Sequence, residues 1–322
     1  MVKHFFYVLF GGMAAIIGGV ALAYAGRLVW QESPSLRQFK FSNLAAVAST
    51  VISQPTDGTS ISGLRRSFRY SANEEEDLIN AATIALPNIG AKGVGAVAYL
   101  VKNLETGNVS ASRNPDKLLP IASLTKLVTA VIARQKIDPE DRVVITKQIM
   151  STYGNTGQFK VNETLRAGDL IYPLLMVSSN DAAEALARQA GRAKFLAAMN
   201  DFAQSIGAYR TTFTDPSGLS PDNRSTVDDL ALILEWIRKN DPEIITITNL
   251  KSKTVRTHTW LNPTHFLSWS NYLGGKNGYT DEANRTGAAL FKMGDKKEVY
   301  AVVILGSSSR DQDMVKLLGK VK

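Results

Sequence analysis

The chain has 322 residues, 44% of them apolar and 20% charged, with a formal net charge of +8 and no cysteine. That balance belongs to a folded chain able to bury a sizeable core and excludes a disordered polymer, and the lack of cysteine excludes a disulfide framework, a thiolate nucleophile and a Cys-ligated metal site. The positive charge favours polyanions such as lipid headgroups or cell-wall polymers, and no helix-turn-helix, zinc-finger or RNA-binding signature points to nucleic acid.

In chain order, residues 5–26 form an apolar run without a charge, with Lys3 before it and Arg27 after it. As a helix rising about 1.5 Å per residue, the run spans roughly 33 Å, enough to cross the hydrocarbon core of a bilayer. Ala23-Tyr24-Ala25 also fits a signal-peptidase site, but the run is long for a signal peptide. Residues 1–30 are therefore expected to be a membrane anchor, or a secretory signal if cut near Ala25, with the rest of the chain outside the cytoplasm either way. Residues 31–85 read as a linker with scattered Ser, Thr, Gly and Pro and a basic patch at Arg65, Arg66 and Arg69. Within it, a short helix is expected over 44–52. Another starts at the acidic cluster Glu74, Glu75, Glu76 and Asp77 and ends before Pro87.

Residues 86–322 carry the folded unit. A strand is expected over 94–103, a turn at 105–108 and a returning strand over 109–113. The stretch 123–238 is mostly helical, with periodic segments at 124–134, 167–177, 181–189, 192–206 and 227–238. Strands resume at 287–293 and 299–305, and a helix over 312–321 closes the chain. Strands at both ends with helices between them predict one mixed α/β unit whose ends join the same sheet.

Only three histidines occur, His4, His258 and His265. The last two lie among aromatics and lack the H-E-x-x-H spacing of a zinc site, so they read as structural or surface residues, and a serine enzyme here needs another base. Ser123-Leu124-Thr125-Lys126 supplies one. Residues three apart on a helix share a face, which brings the Lys126 amine to the Ser123 hydroxyl, and burial or a nearby cation turns such a lysine into a base. Ser178-Ser179-Asn180 alone reads as a helix cap. Gly274-Gly275-Lys276-Asn277-Gly278-Tyr279-Thr280 alone reads as a surface loop whose small residues permit close backbone approach.

Together the three sites resemble the S-x-x-K, S-x-N and K-T-G set of the active-site serine penicillin-recognising enzymes. The segments 120–128 (PIASLTKLV), 177–183 (VSSNDAA), 215–226 (DPSGLSPDNRST) and 275–283 (GKNGYTDEA) are similar to the low-molecular-mass D-alanyl-D-alanine carboxypeptidases, over roughly residues 93–319. The resemblance implies a β-lactamase/transpeptidase-like α/β (α+β) fold: an antiparallel sheet flanked by helices, with a mostly helical middle subdomain. It further implies Ser123 as nucleophile, Lys126 as its base, Ser178 as proton relay and Asn180 as orienter of Lys126 and substrate. Lys276, Asn277, Gly278 and Tyr279 would bind substrate, with the backbone N–H groups of Ser123 and Tyr279 as oxyanion hole and Lys276 lowering the Lys126 pKa.

The implied partners are peptidoglycan stem peptides and β-lactams, with no metal and no cofactor. Asn277 departs from the family, which usually has Thr there to help bind the substrate's terminal carboxylate. Murein D,D-endopeptidase activity and a catalytically inactive cell-wall-binding homologue stand as alternatives. A β-lactamase of class A would need an E-x-x-L-N string after Asn180, and none is present.

Overall fold

The computed structural model describes residues 90–321. The expected anchor, linker and two early helices lie outside the described residues. Among the described residues no helix is long and apolar enough to cross a membrane.

A five-stranded sheet, fully antiparallel, runs β2(Val109–Arg113), β1(Ala98–Asn103), β11(Glu298–Ser307), β10(Asn284–Met293), β9(Tyr272–Thr280). Strands from both ends of the described chain meet at the β1–β11 pairing, in register from Ala98 opposite Leu305 to Asn103 opposite Tyr300. Alternate residues of a strand face opposite sides, and here both sides are buried. Leu100, Leu290, Ala301 and Val303 join the larger apolar core, while Tyr99, Val101, Phe291 and Val302 join a second one. The sheet is thus the middle of three layers, which explains why β10 and β11 read as near-continuous apolar runs.

On one side, α6(Val227–Asn240) lies against β1, β10 and β11. Beyond it the helical subdomain holds α1(Thr125–Lys136), α3(Ala167–Met176), α4(Asn180–Gln189) and α5(Arg192–Ser205). Every residue of α1 from Thr125 to Ala133 is buried, so this helix is the axle of the subdomain instead of an amphipathic surface element. Short pieces complete the fold: β3(Leu119–Pro120) paired with β6(Arg224–Ser225), β4(Arg142–Val144) paired with β5(Thr164–Arg166), α2(Lys147–Met150), α7(Pro242–Thr248) and the hairpin of β7(Ser252–Val255) and β8(His258–Leu261). On the other side, α8(Arg310–Leu318) packs Met314, Leu317 and Leu318 into the second core.

Several boundaries differ from those read in the sequence; the closing helix expected over 312–321 is Arg310–Leu318, and the strand expected over 287–293 starts at Asn284. The first strand begins at Ala98: the Val97 amide still donates to the Gly306 carbonyl of β11 at 3.3 Å, but the Gly95 amide donates instead to Asp313 Oδ1 of α8 at 3.1 Å. The segment expected as a glycine-rich loop is instead the edge strand β9. His258 is structural, as expected: it is buried, stacks on Trp260 at 5.5 Å and pairs with Glu163 Oε1 at 2.6 Å.

Candidate active site

Ser123 lies in a 3-10 turn, Ala122–Leu124, that leads into the buried helix α1. Ala122 is held at φ 48°, a left-handed conformation costly for a residue with a Cβ, and such strain persists only where neighbours over-determine it. The neighbours are visible. The Ile121 amide donates to the Asn223 carbonyl at 3.0 Å. The Thr286 hydroxyl donates to the Ile121 carbonyl at 3.1 Å, and the Thr125 hydroxyl to that of Ala122 at 2.8 Å.

The Lys126 amine is fully buried and lies 2.9 Å from Ser123 Oγ, 2.7 Å from Asn180 Oδ1 and 2.6 Å from the Ser217 carbonyl. An ammonium has three protons, and these three acceptors match them. Burial brings its pKa down to about 7, against the pull of the Asp215 carboxylate, so a large fraction is the neutral amine at neutral pH. A neutral amine at hydrogen-bond distance from a half-buried serine hydroxyl is the geometry of an activated nucleophile.

Asn180 is the first residue of α4, with Ser179 as N-cap accepting from the Ala182 amide at 3.1 Å. Its Nδ2 donates to the Tyr153 carbonyl at 2.6 Å, which fixes the oxygen toward Lys126. Ser178 stands just before, at φ 60°, and among the described residues its hydroxyl has no hydrogen-bond partner. The structure therefore brings Ser123, Lys126 and Asn180 into one network and places Ser178 at its margin.

Strand β9 closes the other side. Lys276 and Gly278, two apart, share its inner face, and the Ser123 turn packs on β9 and β10. A Cβ on Gly278 would lie 2.7 Å from the Ser123 nitrogen, so Tyr279, next along the backbone, enters this neighbourhood through its main chain. Its ring is 56% exposed, with the hydroxyl donating to Asp281 at 2.8 Å and Arg285 stacked at 5.4 Å.

Lys276 Nζ donates to the Asn277 carbonyl at 2.7 Å, and the Asn277 carboxamide is half-buried without a hydrogen bond among the described residues. Burial first, then Lys126 and Arg310, push the Lys276 ammonium well below the usual lysine range. At Lys126 burial lowers the pKa, and at Lys276 the neighbouring Lys126 acts in the same direction as burial.

Residues 84–308 match the family described as D-alanyl-D-alanine carboxypeptidase. The chain belongs to this family. The D-alanyl-D-alanine endopeptidase of Pseudomonas aeruginosa is 34% identical over 197 residues, covering 57% of this chain and 63% of that protein, less than two thirds of its length. The D-alanyl-D-alanine carboxypeptidase DacB2 of Mycobacterium tuberculosis is 29% identical over 238 residues, covering 71% of this chain and 80% of the relative. In three dimensions, penicillin-binding protein D2 of Listeria monocytogenes, in its ampicillin-bound form, aligns with a TM-score of 0.65 at 27% identity, covering 73% of this chain and 99% of that one. The penicillin-binding, transpeptidase-like fold expected from the motifs is the fold observed, and the D-alanyl-D-alanine carboxypeptidase family is one of serine peptidases.

Against this family, the sequence reading quoted 215–226 as a similar segment but missed its role, which is to present the Ser217 carbonyl to Lys126. Asp215 accepts from the Ser217 amide and hydroxyl at 2.6 Å each, the Gly218 amide at 2.8 Å and the Ser220 amide at 2.8 Å. Buried Asn223 ties that loop to α1 by donating to Thr125 Oγ1 at 3.0 Å and to the Asp215 carbonyl at 2.9 Å. Arg310 was missed too: its aliphatic stem lies across Gly287, the residue paired with Asn277.

Proposed function

We propose that this protein is a serine D-alanyl-D-alanine carboxypeptidase that removes the terminal D-alanine of peptidoglycan stem peptides through an acyl-enzyme. The observation that carries this reading is the buried Lys126 amine, brought to a pKa of about 7, at 2.9 Å from Ser123 Oγ. Neutral Lys126 takes the hydroxyl proton as Ser123 Oγ bonds to the carbonyl carbon between the two D-alanines. The resulting oxyanion is met by the backbone N–H groups of Ser123 and Tyr279. As the C–N bond breaks, the proton passes to the departing amine by way of Ser178. Water then attacks the ester, with the Lys126 amine again receiving a proton, and frees Ser123. Asn180 holds Lys126 and the substrate amide, while Arg310 gives the β9 side the positive potential that suits a terminal carboxylate, and such a carboxylate would favour the charged form of Lys276 that burial opposes. The steps call on no metal or organic cofactor.

In this reading residues 1–30 anchor the protein in the membrane, or are removed near Ala25, and residues 31–85 link the anchor to an extracytoplasmic catalytic domain. β-Lactams acylate the same serine. A second reading, cleavage of the same linkage inside a cross-link, is favoured by Asn277, which offers an amide where the family usually has a hydroxyl for the terminal carboxylate.

The deciding experiment is intact mass spectrometry of the detergent-solubilised full-length protein after incubation with penicillin, beside Ser123→Ala. One penicilloyl adduct, lost in the variant, is expected. Intact penicillin without an adduct would point instead to the inactive wall-binding alternative.

A further inference from the structure

A groove of about 510 Å³ adjoins the site on the side away from β9, a volume in the range of small-ligand sites. Its floor is α4. Asn180, Glu184 and Arg188 follow one another at intervals of four on this helix, so they run along one flank. That flank leads from the Lys126 network outward, with Arg188 about 12 Å of helix rise from Asn180. Arg192, at the start of α5, lines the same groove, and Thr152, Ser217 and Ser220 form part of its polar walls.

The two arginines are half-spent. Arg188 Nε lies 2.6 Å from Glu184 Oε1, and Arg192 Nε donates to both oxygens of the same carboxylate at 3.0 and 3.1 Å. Arg192 is thus oriented through its Nε, whereas the buried Arg188 Nε meets Glu184 as an ion pair without a hydrogen bond among the described residues. Among the described residues, the terminal nitrogens of both have no hydrogen-bond partner. Their side chains are 34% and 40% exposed, whereas that of Glu184 is 10% exposed. The other carboxylate lining the groove, Asp215, is turned onto four donors of its own loop. What the groove offers a ligand is therefore two guanidiniums held beside Glu184, that of Arg192 oriented through its Nε, the donor groups that match a carboxylate.

From these observations we propose a substrate subsite: Arg188 and Arg192 bind a carboxylate borne by the acyl-donor arm of the peptide, three to four residues from the bond cleaved. The idea rests on the peptidase reading above. An extended chain advances about 3.3–3.6 Å per residue, so three to four residues bridge the distance from Asn180 to Arg188. The single residue released by a carboxypeptidase is too short to reach it. The terminal carboxylate is accounted for on the opposite side, by Lys276 and Arg310.

The test uses the solubilised full-length protein and paired synthetic peptides ending in D-Ala-D-Ala, identical except for a free carboxylate or a carboxamide four residues before the scissile bond. Wild type is expected to favour the carboxylate peptide by about tenfold in kcat/KM, the scale of one charge-assisted hydrogen-bonded contact. The preference should shrink as salt is raised. Arg188→Gln/Arg192→Gln should bring the ratio to about one, as expected for loss of such a contact. Its turnover of the carboxamide peptide and its penicilloyl adduct should be unchanged.

A wild-type ratio near one overturns the subsite, as does a preference that survives in the double variant. Should losing both cations from Glu184 unfold that variant, the triple variant that adds Glu184→Gln replaces it with the same expected ratio. Absence of a penicilloyl adduct on wild type would instead remove the peptidase reading itself, and the subsite with it.

Discussion

Gly278 lies against Ser123 so closely that a Cβ on it would stand 2.7 Å from the Ser123 nitrogen, 2.7 Å from Thr286 Oγ1 and 3.0 Å from Ala122 Cβ. Two of those three neighbours belong to the turn that presents the nucleophile. Gly278→Ala is therefore expected to push β9 away from Ser123 while leaving the cores untouched. Penicillin acylation should slow by about a hundredfold, the cost of misplacing reacting groups by roughly an ångström, with little change in melting temperature. An unchanged acylation rate would show that β9 is not fixed against Ser123.

Gly218 meets the same turn from the other side, with φ 86° and an added Cβ only 1.9 Å from the Ala122 carbonyl oxygen. Here nothing can yield except backbone. Gly218→Ala should lower the unfolding free energy by about 2–4 kcal/mol, since an incompatible φ and a steric clash act together. Chemical denaturation would measure it, and a loss below about 0.5 kcal/mol, the usual scale of a harmless surface change, would contradict the packing described.

The pKa of about 7 at Lys126 predicts the pH dependence of acylation. The reactive species is the neutral amine, so the penicillin acylation rate should rise with pH through about 7 and then level off. Asp215 raises this pKa, so Asp215→Asn should move the midpoint to lower pH, although the loss of a strong acceptor also loosens the Ser217 loop. Lys126→Met should lower the rate by about a thousandfold or more, the scale of general-base catalysis together with a lost positioning contact. A rate independent of pH between 5 and 9, taken as roughly two units either side of the midpoint, would rule out Lys126 as base.

Much of this was legible in the sequence, and the parts that were not share a physical reason. The strands 287–293 and 299–305 announced themselves because their residues are apolar enough to be buried on both faces, and 109–113 because the turn at 105–108 sends the chain back beside β1. Ser123 and Lys126 were found because serine-lysine chemistry needs those side chains three apart on a helix. Strand β9 was hidden by Gly274, Gly275 and Gly278, which remove the alternation that marks a strand; a Cβ on Gly275 would lie 2.5 Å from the Ala288 carbonyl, so the glycines record close strand packing. The partners of Lys126 and Asn180 at Ser217 and Tyr153 are backbone carbonyls. Any residue type supplies a carbonyl, so only the Asp215 and Asn223 side chains that shape the loop leave a trace in the sequence.

Asp181, next to Asn180, is buried with both carboxylate oxygens unpartnered among the described residues, and burial raises its pKa to about 6 from 3.8. The native state therefore holds a proton that the unfolded chain has released between those values, so stability from this group falls as pH rises through that interval. Asp181→Asn removes the buried charge and should stabilise the fold at pH above about 7 by about 1–3 kcal/mol, with the gain vanishing below about pH 4. Denaturation midpoints of both proteins at the two pH values check it. A variant equally or less stable at neutral pH would mean that the carboxylate is satisfied in solution.

Asn277 decides between the two readings of the reaction. It sits between Lys276 and Gly278 on the strand that flanks Ser123, and its carboxamide is bulkier than the threonine hydroxyl usual in the family. If the terminal carboxylate of a stem peptide is bound here, Asn277→Thr should restore a compact donor beside the Lys276 and Arg310 charges. The ratio of carboxypeptidase activity on a free D-Ala-D-Ala end to endopeptidase activity on a cross-linked dimer should then rise by about tenfold, the worth of one charge-assisted hydrogen bond. Measuring both products from one digest by chromatography separates the effect from any change in overall rate, because penicillin acylation of the same samples reports the chemistry at Ser123. A ratio unmoved by the substitution would place carboxylate recognition on Lys276 and Arg310 alone and remove the argument that Asn277 tilts the enzyme toward cross-links.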